Sequence, residues 1–177
     1  INTLHLVWSD RRRLTSKKAD KDMQILEYLQ PHHELSELTV KAFAGFYFPS
    51  WLSRLTHLQT IHLSDCTNCS VLPALGVLPL LKFLDIGGFH GIIHINQEFS
   101  GTSGIKGFPS LKELVFEDMS NLETWTSVQD GQLLPTLTEL AVIDCPLLAE
   151  FPSFPSSVVK LKISETGFTI LPEIHTP

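Results

Sequence analysis

Cysteine, methionine and charge are all scarce in this chain of 177 residues, and no long apolar run interrupts it. Three cysteines form an odd, sparse set, which fits a reducing compartment better than a disulfide-stapled secreted domain. No stretch approaches the roughly 18 uninterrupted apolar residues of a membrane span, and no signal-peptide pattern is present. Basic residues are too few for a nucleic-acid footprint, which needs a basic stripe. The formal charge is -6, and residues 51–177 carry it, with six Lys/Arg against thirteen Asp/Glu. Residues 1–50 are nearly balanced at seven against six. The chain starts without Met and in the middle of a pattern, so a piece of something longer is expected. What it has in abundance is apolar residues, 43% of the total, enough for one well-buried core.

Those residues recur as a triple, hydrophobic-x-x-hydrophobic-x-hydrophobic. The seven instances are Ile1/Leu4/Leu6, Leu35/Leu38/Val40, Leu58/Ile61/Leu63, Leu81/Leu84/Ile86, Leu111/Leu114/Phe116, Leu137/Leu140/Val142 and Val158/Leu161/Ile163. Their middle members are 34, 23, 23, 30, 26 and 21 residues apart, bracketing the leucine-rich-repeat period of about 20 to 29 with two over-long units. Residues two apart on a strand share a face of the pleat, so each triple turns its leucines one way and its intervening residues the other. One such strand cannot bury its apolar side alone. Stacking the units does, which predicts an α/β solenoid: a leucine-rich-repeat horseshoe of about seven irregular repeats, with a parallel sheet on the concave face and loops and short helices on the convex face. Residues 1–177 are expected to form one such domain. A further inward position follows each triple, filled by Phe43, Cys66, Phe89, Met119 and Cys145.

Prolines punctuate the return segments. Pro79, Pro109 and Pro135 stand two residues before the next triple and Pro155 three before, where a missing N–H and fixed φ halt any helix. In the first long unit, Ala19, Met23, Leu26 and Leu29 at helical spacing, ended by Pro31, predict an amphipathic helix from about Asp20 to Leu29 on the convex side. An exposed basic loop with Arg11, Arg12, Arg13, Lys17 and Lys18 is expected before it. In the second, the polar, Gly- and Ser-rich residues 94–107 predict a mobile excursion. A shorter polar segment runs from Thr126 to Gly131.

Catalytic and metal constellations fare poorly. Cys66-Thr67-Asn68-Cys69 has redox or zinc spacing, but no second Cys pair exists and Cys66 falls on the inward repeat position, which makes a buried structural thiol the expectation. Asn68-Cys69-Ser70 matches a glycosylation acceptor and would matter only in a secreted protein. Residues 101–107 lack the Gly-Lys-Ser/Thr ending of a phosphate loop. His90 and His94 would share a helix face, but Gly87, Gly88 and Gly91 argue against a helix, and His5 and His62 lie repeats apart. No nucleophile, base and orienting group converge, so no enzyme, catalytic residue, metal or cofactor site is expected.

Outward strand positions are free of the core, and stacking sets equivalents about 4.8 Å apart in rows. One row, at the strand exits, reads Trp8, Ala42, Asp65, Gly88, Asp118, Asp144 and Glu165; another reads Thr3, Glu37, Thr60, Phe83, Glu113, Glu139 and Lys160. With Glu117, Asp85, His62 and Lys162 these make a largely acidic inner face, with Phe83 as a candidate apolar anchor. Either it is merely a solvated surface, or it docks a protein partner of basic character, since charge rows steer encounter and reject like-charged competitors.

Particular words in the chain go further. Leu29-Gln30-Pro31-His32, then Leu35-x-x-Leu38-x-Val40 and Gly45-x-x-Phe48-Pro49-Ser50-Trp51-Leu52, resemble the start of the repeat region in plant coiled-coil nucleotide-binding leucine-rich-repeat immune receptors, most of all cereal ones. The words Leu72-Pro73-x-Leu75-Gly76-x-Leu78-Pro79, Phe108-Pro109-Ser110-Leu111-Lys112-x-Leu114, Leu122-Glu123-x-Trp125 and Leu147-x-x-x-Phe151-Pro152 are similar to that family too. The resemblance implies the sensor end of a cytoplasmic or nucleo-cytoplasmic receptor. Its partners would be a pathogen or pest effector, or a guarded host protein, and the receptor's own nucleotide-binding module, which it would help to hold at rest. ATP or ADP would bind that module, whose phosphate motifs this chain lacks. Two other readings stay open: a substrate-recruiting repeat domain of a ubiquitin ligase, marked by an upstream F-box, and an extracellular receptor ectodomain, marked by a signal peptide and one membrane span.

Overall fold

The computed structural model describes residues 1–8, 15–101, 107–126, 133–151, 153 and 155–169. Each apolar triple builds a strand: β1 (Thr3–Val7), β2 (Glu37–Lys41), β3 (Thr60–Ser64), β4 (Phe83–Gly87), β6 (Glu113–Glu117), β8 (Glu139–Cys145) and β9 (Lys160–Thr166). They hydrogen-bond in that order into one parallel sheet. The pairing register aligns Leu4, Leu38, Ile61, Leu84, Leu114, Leu140 and Leu161 in one row and Leu6, Val40, Leu63, Ile86, Phe116, Val142 and Ile163 in the next. From β2 to β8 both rows are buried, while in β1 and β9 they are half-buried. The cause is geometric: an interior repeat has a neighbour on both sides, and an end repeat on one. Ile1, expected inward, is 95% exposed for the same reason.

Backbone hydrogen bonds lock the repeats at both strand ends. At the entrances one carbonyl accepts two N–H groups from the next unit: Gln59 from Lys82 and Phe83, Lys82 from Lys112 and Glu113, and Lys112 from Thr138 and Glu139. Behind the sheet, Phe43, Cys66, Phe89, Met119 and Cys145 are all buried, as their repeat position requires. Two asparagines two residues further on clamp successive turns, Asn68 donating to the Ala44 carbonyl at 3.0 Å and Asn121 to the His90 carbonyl at 2.7 Å. An aromatic series fills the rest of the interior: Trp8, Phe43, Phe48 and Phe89 in one half, and Phe99, Phe108, Phe116, Trp125, Phe151 and Phe168 in the other.

The two long units depart from expectation in instructive ways. Helix α1 runs Ser16–Leu29, with the Thr15 side chain capping the Lys18 N–H at 3.3 Å. A hydroxyl at that position satisfies a free helix N–H, so the helix begins well before Asp20. Lys17 and Lys18 therefore lie in its first turn and not in a loop; Arg11, Arg12 and Arg13 fall outside the described residues. Ala19 and Leu26 pack inward, but Leu29 is 41% exposed, because the chain leaves the helix at the left-handed Gln30. Trp51, from a 3-10 turn at Ser50–Arg54, donates its indole N–H to the Leu26 carbonyl at 3.0 Å, tying α1 to the array.

Part of the expected excursion at 94–107 is anchored. β5 (His94–Ile95) pairs in parallel with β7 (Thr124–Trp125) as a separate two-stranded sheet, and the short helix α2 (Gln97–Ser100) follows β5. Ile95 and Phe99 are buried. Gly76 lets α2 approach a 3-10 turn at Leu75–Val77 so closely that a Cβ there would stand 2.2 Å from the Ser100 carbonyl oxygen. Residues 102–106, like residues 127–132 in the shorter polar segment, lie outside the described residues.

Candidate protein-docking face

The outward rows assemble as the spacing predicts. Thr3, Glu37, Thr60, Phe83, Glu113, Glu139 and Lys160 are consecutive Cα partners across the sheet, and so are His5, Thr39, His62, Asp85, Val115, Ala141 and Lys162. Glu117 pairs with Ile143. All thirteen candidate residues, Glu37, His62, Asp65, Phe83, Asp85, Glu113, Glu117, Asp118, Glu139, Asp144, Lys160, Lys162 and Glu165, are half-buried or exposed.

The exit row carries a backbone signature that the spacing does not reveal. Ala42, Asp65, Gly88, Asp118, Asp144 and Glu165 all have positive φ, between 52° and 68°. Four of their N–H groups still extend the ladder, Ala42 donating to the Ser64 carbonyl, Asp65 to Gly87, Gly88 to Glu117 and Asp118 to Ile143. The left-handed conformation is costly for most L residues and cheapest for Gly, Asn and Asp. Aspartate recurs at this position in part because the turn selects it, so only a portion of the row's acidity remains to be explained by partner recognition.

Local pairing sorts the rest. His62 Nδ1 lies 3.3 Å from Asp85 Oδ2, and its ring packs on Phe83 at 4.9 Å between centroids. Lys41 Nζ is 3.8 Å from Asp65, and Lys160 Nζ is 2.8 Å from Glu139 Oε2. That hydrogen bond, then the attraction of the Glu139 and Glu113 charges, raises the Lys160 pKa. His90, on the turn after β4, reaches Asp118 at 3.1 Å. Sequence reasoning missed this contact, although Asp118 is the next-repeat equivalent of Gly88, two residues before His90. Glu113, Glu117 and Asp144 have no ion pair or hydrogen-bonded side-chain partner among the described residues.

An apolar strip crosses the same face. Phe83, Val115, Ala141 and Ile143, all half-buried, run diagonally from β4 to β8, with Glu113, Glu117, Asp118, Glu139 and Asp144 around them. Diagonal neighbours on adjacent strands are about 7–8 Å apart, within reach of one another's side chains. The result is an apolar floor with an acidic rim, the layout of a protein interface with a dry centre and polar margin.

Burial pushes the Cys66 and Cys69 thiols up to about 12 and Cys145 up to about 11, partly offset by backbone hydrogen bonds. Thiols held neutral in this way are poor nucleophiles and ligands. Among the described residues no group of three or more His, Cys, Asp or Glu could hold a metal ion, and no helix is long and apolar enough to cross a membrane.

Seven parallel strands, buried leucine rows and a solvent-facing row between them define a leucine-rich-repeat solenoid. The profile of the R13L1/DRL21 leucine-rich repeats matches residues 1–89. The chain belongs to this leucine-rich-repeat family. It is 34% identical over 168 residues to the putative disease resistance protein RGA4 of Solanum bulbocastanum, covering 92% of the chain and 17% of that protein. Putative disease resistance RPP13-like protein 1 of Arabidopsis thaliana is 29% identical over 183 residues, covering 94% of the chain and 17% of the relative. Putative disease resistance protein RGA1 of Solanum bulbocastanum is 33% identical over 156 residues, with 86% and 15% covered. The resemblance to plant resistance proteins read from the sequence motifs thus extends over most of the chain, which spans less than a fifth of these relatives. No solved structure gives a significant match.

Proposed function

We propose that this chain is the protein-recognition region of an intracellular plant immune receptor. Its open sheet face senses a pathogen or pest effector, directly or through a guarded host protein, and in the resting receptor contacts the nucleotide-binding module, where ATP or ADP binds outside this chain. Residues 1–177 act as one repeat domain within that longer receptor, in the cytoplasm. The observation that carries the reading is the apolar strip Phe83, Val115, Ala141 and Ile143 inside its ring of carboxylates, three of which, Glu113, Glu117 and Asp144, have no ion-paired or hydrogen-bonded side-chain partner among the described residues. Such a face fits a partner with apolar side chains flanked by Lys or Arg, whose charges speed encounter and fix register. The relatives named above are disease resistance proteins, which favours this reading over a ubiquitin-ligase or ectodomain role.

The test places E113Q, E117Q, D118N and D144N together in the full receptor and expresses it in leaf tissue with and without the cognate effector. The expected result is a receptor that accumulates normally but either loses the effector-triggered cell-death response or gives that response without effector. Normal accumulation with normal resting and triggered behaviour sinks the proposal.

A further inference from the structure

A second surface lies away from the sheet face. Beside the face of α1 that buries Ala19 and Leu26, Asp20, Met23, Gln24 and Glu27 join Tyr47 and Pro49 to line an open cleft of about 410 Å³. Its chemistry is sorted. Met23 supplies the apolar part above a buried Pro49, Tyr47 is an aromatic wall left 56% exposed, and no basic side chain is among the described lining residues. Asp20 and Glu27 are seven residues apart, so a rise of about 1.5 Å per residue separates them by about 10 Å along one helix face. Both are exposed, and neither has a hydrogen-bonding or ion-pair partner among the described side chains.

The Tyr47 wall is held by its surroundings. The segment before it is pinned at Gly45, where a Cβ would stand 2.3 Å from the Phe43 ring, and the Phe46 carbonyl accepts from Ser70 N–H at 3.0 Å. Phe48 and Pro49 after it are buried. Tyr47 is thereby presented to solvent on a fixed backbone.

We propose that this cleft docks a partner-protein segment bearing two cationic side chains three residues apart, one on Asp20 and one on Glu27, with the intervening chain against Tyr47. An extended segment of polyproline type has three residues per turn and rises about 3.1 Å per residue, which puts such side chains on one side about 9 Å apart. A guanidinium also gains from lying over the Tyr47 ring. The site is independent of the sheet face and does not depend on the role proposed for it.

Fluorescence anisotropy with labelled peptides tests it on the intact protein. The probe is a Gly-Arg-Pro-Ala-Arg-Gly peptide; controls replace both arginines with citrulline or place them side by side. The spaced-arginine peptide should bind the parent protein and D118N/D144N alike, and bind D20N/E27Q and Tyr47→Ala at least about tenfold more weakly. Neither control peptide should match it. Because Asp20 and Glu27 are exposed, D20N/E27Q should keep the parent circular-dichroism spectrum. Saturable binding lost in D118N/D144N but kept in D20N/E27Q would move the site to the sheet face and overturn the proposal. Equal binding by the adjacent-arginine peptide would overturn the two-point geometry, and absence of saturable binding by the spaced peptide would overturn the site itself.

Discussion

Asp118 and Asp144 leave their strands at φ 52°, and that backbone fact can be separated experimentally from their charge. A left-handed φ costs an ordinary L residue roughly 1–2 kcal/mol, from which Asp and Asn escape in part by hydrogen-bonding their own backbone. Replacing both with lysine should therefore lose about 1 kcal/mol per site, while replacing both with asparagine, which keeps the shape and the local hydrogen bond, should change stability by less than about 0.5 kcal/mol. For a chain of this length 1 kcal/mol corresponds to about 2–4 °C in Tm. The lysine pair should then melt about 4–8 °C below the parent and the asparagine pair within about 2 °C of it, read by circular dichroism. A lysine pair that melts with the parent would refute the argument and leave surface chemistry alone as the reason for aspartate here. The distinction governs every functional experiment on this face, because charge reversal would confound lost stability with lost recognition, whereas amide substitution does not.

Three further outcomes follow from packing and titration. Leu84, fully buried mid-array, should cost about 2–5 kcal/mol on truncation to alanine, against a clearly smaller loss for half-buried Leu161→Ala at the sheet edge, both by urea unfolding. Equal losses would contradict the end-to-middle gradient. Gly76→Ala forces a Cβ against the Ser100 backbone and should destabilise by about 1–3 kcal/mol, whereas Gly87→Ala, whose Cβ meets the Glu117 carbonyl oxygen at 3.3 Å and needs only a small shift, should cost clearly less. A neutral Gly76→Ala would show that α2 does not seat on that turn. Stability should fall between about pH 9 and 12: below 9.0 the thiols are protonated whether folded or unfolded, and above it the unfolded chain ionises them while the folded chain holds Cys66 and Cys69 neutral to about 12. Each differing thiol costs roughly 1.4 kcal/mol per pH unit in that window, so C66A/C69A should flatten the alkaline slope of urea midpoints. An unchanged slope would assign the alkaline loss to other groups.

The main sheet was legible because apolar residues two apart, such as Leu84 and Ile86 or Leu140 and Val142, report a strand face directly. Their stacking followed from repetition, and the outward rows followed from the stacking. The apolar strip was harder to see. Val115 stands between Leu114 and Phe116, and Ala141 and Ile143 flank Val142, so an uninterrupted apolar run conceals which members face out. Positive φ at the exits was hidden because Ala42, Asp118 and Glu165 do not share a side-chain type, although Gly88 in the same row was the clue. The anchoring of Ile95 and Phe99 escaped because two apolar residues in a polar segment carry no period, and it depends on Gly76, about twenty residues away. The Asp20, Tyr47 and Glu27 cleft joins two segments that only the fold brings together.

The central claim is that one side of this sheet is sealed while the other stands open along its length. Single cysteines at positions 83, 113, 139 and 160, and in a second series at 84, 114, 140 and 161, tested with a thiol reagent on the folded protein, address it most directly, since the native cysteines are buried and should react slowly. The first series should label at rates near those of the unfolded chain, while Leu84, Leu114 and Leu140 positions stay protected and Leu161, at the edge, falls between. Comparable labelling of the two series, or protection of the first, would contradict the account.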